Sequence, residues 1–262
     1  MDTLLLSSGG IKGYSFLGVW KYLEEHDKTK DIKIFSGVSI GAFFNLWFIL
    51  GYTFKECYEL LMKINVFDLF SFDFANFFES YGMIQCQDLE KFMIHQIEIK
   101  GYNKDITFQE LYEQTGKELH TYAFCVDDQK LCRFDKTNTP ECPIRVATLM
   151  SMSIPLIFQP VEYKGKYYVD GVVNNGFPIQ DYNLNKTFPC VVVNEEIKEI
   201  KNIFHYTFKI VKSLLNPKDL NNACCIYPKV GTLDVSISEE EIDRIIYQGY
   251  QSIASWINDD LS

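Results

Sequence analysis

A serine stands between two glycines in the pentapeptide Gly37-Val38-Ser39-Ile40-Gly41, which has the form G-x-S-x-G. This spacing is typical of a sharp strand-to-helix turn that presents a nucleophilic serine. The serine backbone is strained at such a turn, and a Cβ two residues to either side would collide with the adjacent strand and helix. The pattern therefore predicts a nucleophile elbow at Ser39, although an ordinary glycine-bracketed loop has the same form.

A second glycine-rich turn, Gly9-Gly10-Ile11-Lys12-Gly13, directly follows the first predicted strand and opens a helix. The first N–H groups of a helix have no partner within it, so they can bind an anion or a developing oxyanion. In a parallel sheet this turn and the elbow lie at the same carboxyl edge. Position 8 is serine, so the turn lacks the full G-x-G-x-x-G of a dinucleotide site, and an oxyanion hole is favoured over phosphate binding.

A serine nucleophile also needs a proton acceptor, for which the sequence offers an aspartate or a histidine. Asp170-Gly171 ends a predicted strand, which puts a carboxylate at a strand end, although Asp-Gly turns are also common without function. The chain order Ser39, Asp170, His205 would satisfy a conventional triad. His205, however, lies in a stretch without turn residues that predicts a helix, and both bases stay open at this point.

The elements that must position these residues follow from the spacing of apolar side chains. The first 50 residues read strand, glycine turn, helix, strand, elbow, helix, which predicts a parallel sheet with helices on both faces. We therefore expect an α/β fold, a three-layer sandwich around a mainly parallel central sheet. Predicted strands are 3–7, 31–36, 119–126, 131–134, 167–169 and 190–193, and predicted helices are 14–25, 42–50, 52–63, 88–97, 107–115, 144–150, 204–215 and a last helix that opens at residue 238.

Charge and aromatic content limit the classes of partner. The net charge of −10, from 25 basic and 35 acidic residues, argues against nucleic acid and against electrostatic docking on anionic lipid. Contact with a membrane through apolar side chains is compatible with this charge. The phenylalanine-rich stretch 67–78 could form a lid or an interfacial surface, or pack as a cap on the sheet.

Length and cysteine usage bear on organisation and location. No linker or internal repeat interrupts the 262 residues, so we expect a single domain over 1–262. The sequence predicts no signal peptide and no spanning helix. The eight cysteines form no C-x-x-C pair, which favours buried reduced thiols. We expect a cytoplasmic enzyme that could contact membranes peripherally.

The ordered set of motifs resembles the patatin-like phospholipase family of lipid acyl hydrolases. That family joins a glycine-rich oxyanion loop, a G-x-S-x-G elbow and a D-G-[GA] motif, which here stand as 9–13, 37–41 and Asp170-Gly171-Val172. The segment 151–160 also resembles the family's A-S-x-S-x-P-x-x-F-x-P stretch before the aspartate. The resemblance spans nearly the whole chain, and its specificity comes from the order of the motifs.

Three positions depart from the family pattern. Ser7-Ser8 stand where the family usually has Asp-Gly. Lys12 replaces the more usual arginine, so the backbone can still donate while a fork-like side-chain contact is lost. Val172 replaces the small Gly or Ala that follows the Asp-Gly pair.

The resemblance implies a Ser-Asp dyad without histidine, in which Asp170 accepts the proton of Ser39 as Ser39 attacks an acyl ester. Backbone N–H groups of residues 9–13, together with that of Ile40, would hold the oxyanion. It further implies a phospholipid or related lipid-ester substrate and a reaction without metal or cofactor. Three alternatives stay open. They are the Ser39-Asp170-His205 triad, a transacylase with the same intermediate, and a catalytically inactive lipid-binding or interaction module.

Overall fold

The fold is that of a computed structural model, which describes residues 1–64, 69–73, 75, 77–193, 200, 206–207, 209–210, 213, 220, 222–229 and 237–259. The strands are β1 (Thr3–Leu6), β2 (Ile34–Val38), β3 (Ser71–Phe72), β4 (Gly82–Gln85), β5 (Glu118–Cys125), β6 (Lys130–Phe134), β7 (Leu156–Phe158), β8 (Val161–Tyr163), β9 (Lys166–Asp170), β10 (Thr187–Val192) and β11 (Cys224–Ile226). The α-helices are α1 (Ser15–Glu25), α2 (Ile40–Ile49), α3 (Phe54–Lys63), α4 (Phe77–Ser80), α5 (Gln87–Ile99), α6 (Phe108–Thr115), α7 (Ile144–Met152) and α8 (Glu239–Asp259).

The central sheet runs in the order β11-β10-β1-β2-β5, and each of these neighbours is parallel to the next. Strands β6 and β9 pair antiparallel with β5, and β8 pairs antiparallel with β9. The prediction of an α/β fold with a mainly parallel central sheet is confirmed.

Strands β2 and β9 share one edge of β5 and meet end to end. The other edge of β5 is occupied by β6, which pairs with both Tyr122 and Ala123. On the shared edge, Val38 at the end of β2 pairs with Tyr122, and Asp170 at the end of β9 pairs with Ala123. Tyr122 and Ala123 are consecutive, and consecutive residues of a strand are about 3.3 Å apart. The carboxyl ends of β2 and β9 therefore lie next to each other.

Among the described residues, α1 and α2 pack on one face of the sheet, and the 3₁₀ turns of the 171–184 segment pack on the other. On the helical side Trp20 of α1 stacks on Phe48 of α2 at 4.3 Å between ring centroids, and its ring meets Phe35 of β2 edge-on. The opposite face has a smaller apolar cluster in which Leu5 packs with Phe177 from the 171–184 segment. Both faces of the central strands are therefore buried, as the run of apolar residues in β1 predicts.

Helices α1 and α8 cross at a pair of glycines. A Cβ on Gly18 of α1 would lie 1.8 Å from the carbonyl oxygen of Ile246, and one on Gly249 of α8 would lie 1.8 Å from that of Ser15. Glycine inside a helix ordinarily destabilises it by about 1 kcal/mol relative to alanine. At this crossing the glycines instead allow backbone to touch backbone, so the last helix is held closely against the first.

A small second sheet, β3-β4-β7, stands apart from the central one and includes part of the phenylalanine-rich stretch. Phe70 packs edge-on against Phe158 at 5.3 Å, whereas Phe72 and Phe78 are exposed. Phe67 and Phe74 lie outside the described residues. The described members of the stretch therefore divide between packed and exposed side chains.

Several local predictions can be compared directly with the structure. Thr107 and Ser238, where the sequence predicts the starts of two helices, each form a capping box that opens α6 or α8. The helix predicted from residue 14 begins instead as a 3₁₀ helix, Gly10–Tyr14, followed by α1. The predicted helix 204–215 lies largely outside the described residues. All eight cysteines are free thiols and six of them are buried.

Candidate active site

Ser39 occupies the turn between β2 and α2 with backbone angles of φ 58° and ψ −127°. A positive φ is strained for a residue with a side chain, and strain of this kind concentrates at functional sites. The serine is largely buried, with 7% of its surface exposed. The backbone geometry at Ser39 is that of the predicted strand-to-helix elbow.

The two glycines of the elbow are required by close backbone contacts. A Cβ on Gly37 would lie 2.4 Å from the carbonyl carbon of Gly41, and one on Gly41 would lie 2.4 Å from the carbonyl oxygen of Leu6 in β1. Neither contact can be relieved by moving a flexible side chain. The steric reason that the sequence offers for this spacing therefore holds in the fold, since α2 starts directly against the end of β1.

The glycine-rich turn packs against the residue that follows the serine. Gly10 has φ 54°, in the left-handed region that suits glycine. A Cβ on Gly13 would lie 2.5 Å from Cγ2 of Ile40, and a Cβ on Gly9 would lie 3.1 Å from Cβ of Val192 in β10. The turn is thus wedged between the end of β10 and the first residue of α2, beside the elbow.

Asp170 is fully buried at the end of β9. Its Oδ1 accepts a 2.8 Å hydrogen bond from the N–H of Val172, and its own N–H donates to the carbonyl oxygen of Ser153 at 2.8 Å. A Cβ on Gly171 would lie 2.7 Å from the carbonyl oxygen of Tyr122 and 3.0 Å from Cγ1 of Val38. These contacts draw the Asp-Gly pair against the last residue of β2, immediately before the serine.

The departures from the family pattern fit into this local structure. Val172 is buried, and its backbone N–H holds the carboxylate of Asp170. Ser7 joins two strands, because its Oγ accepts a hydrogen bond from the N–H of Val192 at 2.9 Å and donates to the carbonyl of Ser8 at 2.8 Å. Lys12 is also buried. Serine at position 7 therefore contributes hydrogen bonds from its side chain, whereas residue 172 contributes one from its backbone.

Among the described histidines, His120 is the most deeply buried, and it lies within a separate polar cluster. Its Nδ1 lies 2.9 Å from the hydroxyl of Tyr182 and its Nε2 lies 3.3 Å from Glu118. Burial lowers the pKa of His120, which favours the neutral ring. The Tyr182 hydroxyl also lies 2.6 Å from Oγ of Ser36, which stands in β2 three residues before Ser39. His205, the third member of the alternative triad, lies outside the described residues.

One residue with a direct contact to the elbow has no role in the sequence reasoning. Ser151, in the last turn of α7, accepts a 2.8 Å hydrogen bond from the backbone N–H of Ser39 through its Oγ. The same hydroxyl donates to the carbonyl oxygen of Tyr122 at 2.6 Å. The available signal was the match of 151–160 to a family segment, which identifies the stretch without indicating what its first serine contacts.

The arrangement combines a strained serine, a buried carboxylate and a glycine-rich turn at one edge of the sheet. A hydroxyl, a proton acceptor and backbone donors are the groups that acyl transfer needs. Within the described part of the chain, no group of three or more His, Cys, Asp or Glu side chains is arranged to hold a metal ion. No helix among the described residues is long and apolar enough to cross a bilayer.

Comparison with known proteins identifies the family of this chain. A sequence model described as patatin-like phospholipase matches residues 4–182. The probable lipid hydrolase 463L of Invertebrate iridescent virus 6 is 34% identical over 183 residues, which cover 68% of this chain and 61% of the viral protein. The uncharacterized protein R571 of Acanthamoeba polyphaga mimivirus is 30% identical over 200 residues, which cover 74% of this chain and 66% of that protein.

The fold of this chain is also similar to that of a solved structure. VipD from Legionella pneumophila superposes with a TM-score of 0.72 at 16% sequence identity, covering 98% of this chain and 67% of the VipD chain. At that identity the likeness concerns the fold alone. The chain spans less than two thirds of the length of each of the two viral relatives.

Proposed function

Because the chain belongs to the patatin-like phospholipase family, we propose that it is a serine lipid acyl hydrolase, a carboxylic ester hydrolase that uses Ser39 and Asp170 as a dyad. One observation carries this assignment. The carboxyl ends of β2 and β9 meet on consecutive residues of β5, Tyr122 and Ala123, which brings the elbow serine and the buried aspartate together.

In the proposed reaction Asp170 acts as a general base and then as a general acid. It accepts the hydroxyl proton of Ser39 while Oγ attacks the ester carbonyl, and it returns that proton to the leaving alcohol. The acyl group stays on Ser39 until water, activated by the same carboxylate, releases the fatty acid. The N–H of Val172 on Oδ1 supports this role because it holds the carboxylate in one orientation.

The oxyanion would be held by backbone N–H groups of the glycine-rich turn, residues 9–13, with that of Ile40. The contact of Gly13 with Ile40 supports this, since it brings the turn against the first residue of α2. Loss of one donor from such a hole typically lowers kcat by about a hundredfold or more. The proposed scheme uses neither a metal nor a cofactor.

A phospholipid or related lipid ester is the proposed substrate, in keeping with the name of the iridescent-virus relative. Peripheral contact with a lipid surface is supported by an exposed apolar patch of Phe78, Tyr81, Leu156 and Tyr167. The Tyr81 ring lies 6.4 Å from that of Tyr167, and Leu156 pairs with Gly82, next to Tyr81. Tyr81 and Leu156 are held at φ 60° and φ 66°, an unusual conformation for large side chains.

Phe78→Ser should weaken co-sedimentation with phosphatidylcholine vesicles about threefold and leave thermal stability unchanged. Binding equal to that of wild type would contradict the contact of this patch with lipid.

The domain organisation and location belong to the same proposal. We assign one catalytic domain over 1–262, because the elements beyond the matched residues 4–182 continue the same fold. Strand β10 pairs with β1, β11 pairs with β10, and α8 packs on α1. A cytoplasmic location with peripheral membrane contact agrees with eight free thiols and with the net charge of −10, which disfavours nucleic acid.

The test is a panel of phospholipids and neutral lipid esters incubated with wild type, Ser39→Ala and His205→Ala, with released fatty acids measured by mass spectrometry. Wild type and His205→Ala should release fatty acid from at least one lipid class, and Ser39→Ala should not. Full activity of Ser39→Ala would overturn the assignment of the nucleophile. A large loss in His205→Ala would favour the triad. Labelling of Ser39 by a fluorophosphonate distinguishes an enzyme from an inactive binding module.

A further inference from the structure

The backbone N–H of Ser39 has an unusual partner for a residue at the end of a strand. Ladder pairing between β2 and β5 ends at Val38 and Tyr122, and the elbow then turns the chain into α2. A buried N–H that leaves a ladder needs another acceptor, because an unsatisfied buried donor destabilises the folded state. That acceptor is Oγ of Ser151, at 2.8 Å.

The hydroxyl of Ser151 bridges two backbone groups on neighbouring strands. Its single proton is donated to the carbonyl oxygen of Tyr122 at 2.6 Å, which leaves its lone pairs for the N–H of Ser39. Ser151 is fully buried. The bridge therefore has fixed donor and acceptor directions and no competition from bulk water.

The same helix end also reaches the aspartate. The carbonyl oxygen of Tyr122, which Ser151 holds, lies directly against Gly171, and the carbonyl oxygen of Ser153 accepts the N–H of Asp170 at 2.8 Å. Residues 151–153 thus contact the backbone of both members of the proposed dyad, Ser39 and Asp170. A shift of the end of α7 would move the serine and the aspartate relative to each other.

We propose that Ser151 is a positioning residue for the nucleophile. Its hydroxyl fixes the strained backbone of Ser39 and thereby the direction of Oγ relative to Asp170. This inference rests on the proposed hydrolase function and adds to it a residue that touches neither the substrate nor the reacting atoms.

The discriminating variant is Ser151→Ala, which removes the bridge and leaves the N–H of Ser39 and the carbonyl of Tyr122 without it. Displacement of a reacting group by about 1 Å can lower the rate about a hundredfold. We expect kcat to fall about tenfold to a hundredfold while KM stays within about twofold, because the substrate surface is unchanged. The second-order rate constant for fluorophosphonate labelling of Ser39 should fall by a similar factor.

Thr148→Val is the matched control. Thr148 is buried in the same helix, one turn earlier, and its Oγ1 donates only within the helix, to the carbonyl oxygen of Ile144 at 2.9 Å. The substitution removes a buried hydroxyl with little change of shape. We expect kcat and the labelling rate to stay within about twofold of wild type, even where the midpoint of thermal unfolding falls as much as in Ser151→Ala.

The outcomes separate this inference from the function on which it rests. Wild-type hydrolysis that depends on Ser39, together with an unchanged kcat in Ser151→Ala, would overturn the role of Ser151 and leave the hydrolase assignment standing. Equal losses of kcat in Ser151→Ala and Thr148→Val would overturn it as well, since they would indicate a general effect of α7. Absence of Ser39-dependent hydrolysis and labelling in the wild type would overturn both.

Discussion

Two pairs of glycines lie where no Cβ fits, one at the serine elbow and one where α1 crosses α8. At the elbow Gly37 and Gly41 flank a residue with φ 58°, and their obstacles are the start of α2 and the end of β1. At the crossing Gly18 and Gly249 sit inside regular helices and meet backbone from a distant part of the chain. The same missing atom thus permits a strained conformation in one place and the close packing of two elements in the other.

The comparison predicts different consequences of substitution, with activity most sensitive near the elbow and stability most sensitive at the crossing. The largest effect should come from Asp170→Asn, which keeps an acceptor for the N–H of Val172 but removes the base. We expect kcat to fall about 10³- to 10⁴-fold in a lipid-ester assay with little change in unfolding midpoint. Asp181→Asn is the control, because Asp181 contacts the hydroxyl of Tyr122 outside the dyad and should stay within about twofold.

Gly41→Ala should have the next largest effect and should lower both quantities. The new methyl would face the carbonyl oxygen of Leu6, so α2 and the serine must move. We expect a loss of about a hundredfold in kcat, measured on folded protein, and a lower unfolding midpoint. Wild-type kcat in this variant would show that the elbow can tolerate displacement, contrary to the role given to it.

Gly18→Ala should separate stability from activity. Helix propensity alone would stabilise the protein by about 1 kcal/mol, whereas crowding against the carbonyl of Ile246 should destabilise it by about 2–3 kcal/mol. We expect the unfolding midpoint to fall by several degrees and kcat to stay within about threefold at a temperature where the variant is folded. A higher midpoint would mean that the crossing accommodates the methyl.

Gly101→Ala should have the smallest effect and tests conformation without crowding. Gly101 has φ 84° and open space where a Cβ would stand. Alanine in this left-handed conformation should cost about 1 kcal/mol, seen as a midpoint lower by a few degrees with unchanged kcat. A loss as large as that of Gly18→Ala would contradict the separation between strain and steric contact.

The sequence predicted the elbow well because its determinants lie within five residues. The geometry of Gly37, Ser39 and Gly41 follows from local sterics, and the parallel β1-α1-β2-α2 order follows from apolar spacing. The capping boxes of α6 and α8 are likewise encoded by residues three positions apart. Features of this kind need no knowledge of the rest of the chain.

Contacts between distant parts of the chain were harder to predict from the sequence. That β9 runs antiparallel and meets the end of β2 depends on the pairing of Asp170 with Ala123, which no local pattern specifies. The contact of Ser151 with Ser39 joins residues 112 positions apart. Gly18 and Gly249 resemble ordinary helix interruptions until α8 is placed on α1. Each of these features depends on packing between distant elements.

The position of β1 has a consequence for synthesis of the chain. Although β1 precedes both of them in the chain, it lies between β2 and β10 in the finished sheet, and the N–H of Val192 reaches Ser7 across 185 residues. At ribosomal rates of about 5–20 residues per second, β10 emerges about 10–40 s after β1. Throughout that interval the apolar strand Thr3–Leu6 has one unpaired edge, open to other nascent chains or to chaperones. The strand Thr3–Leu6 therefore has both edges paired only after β10 has been made.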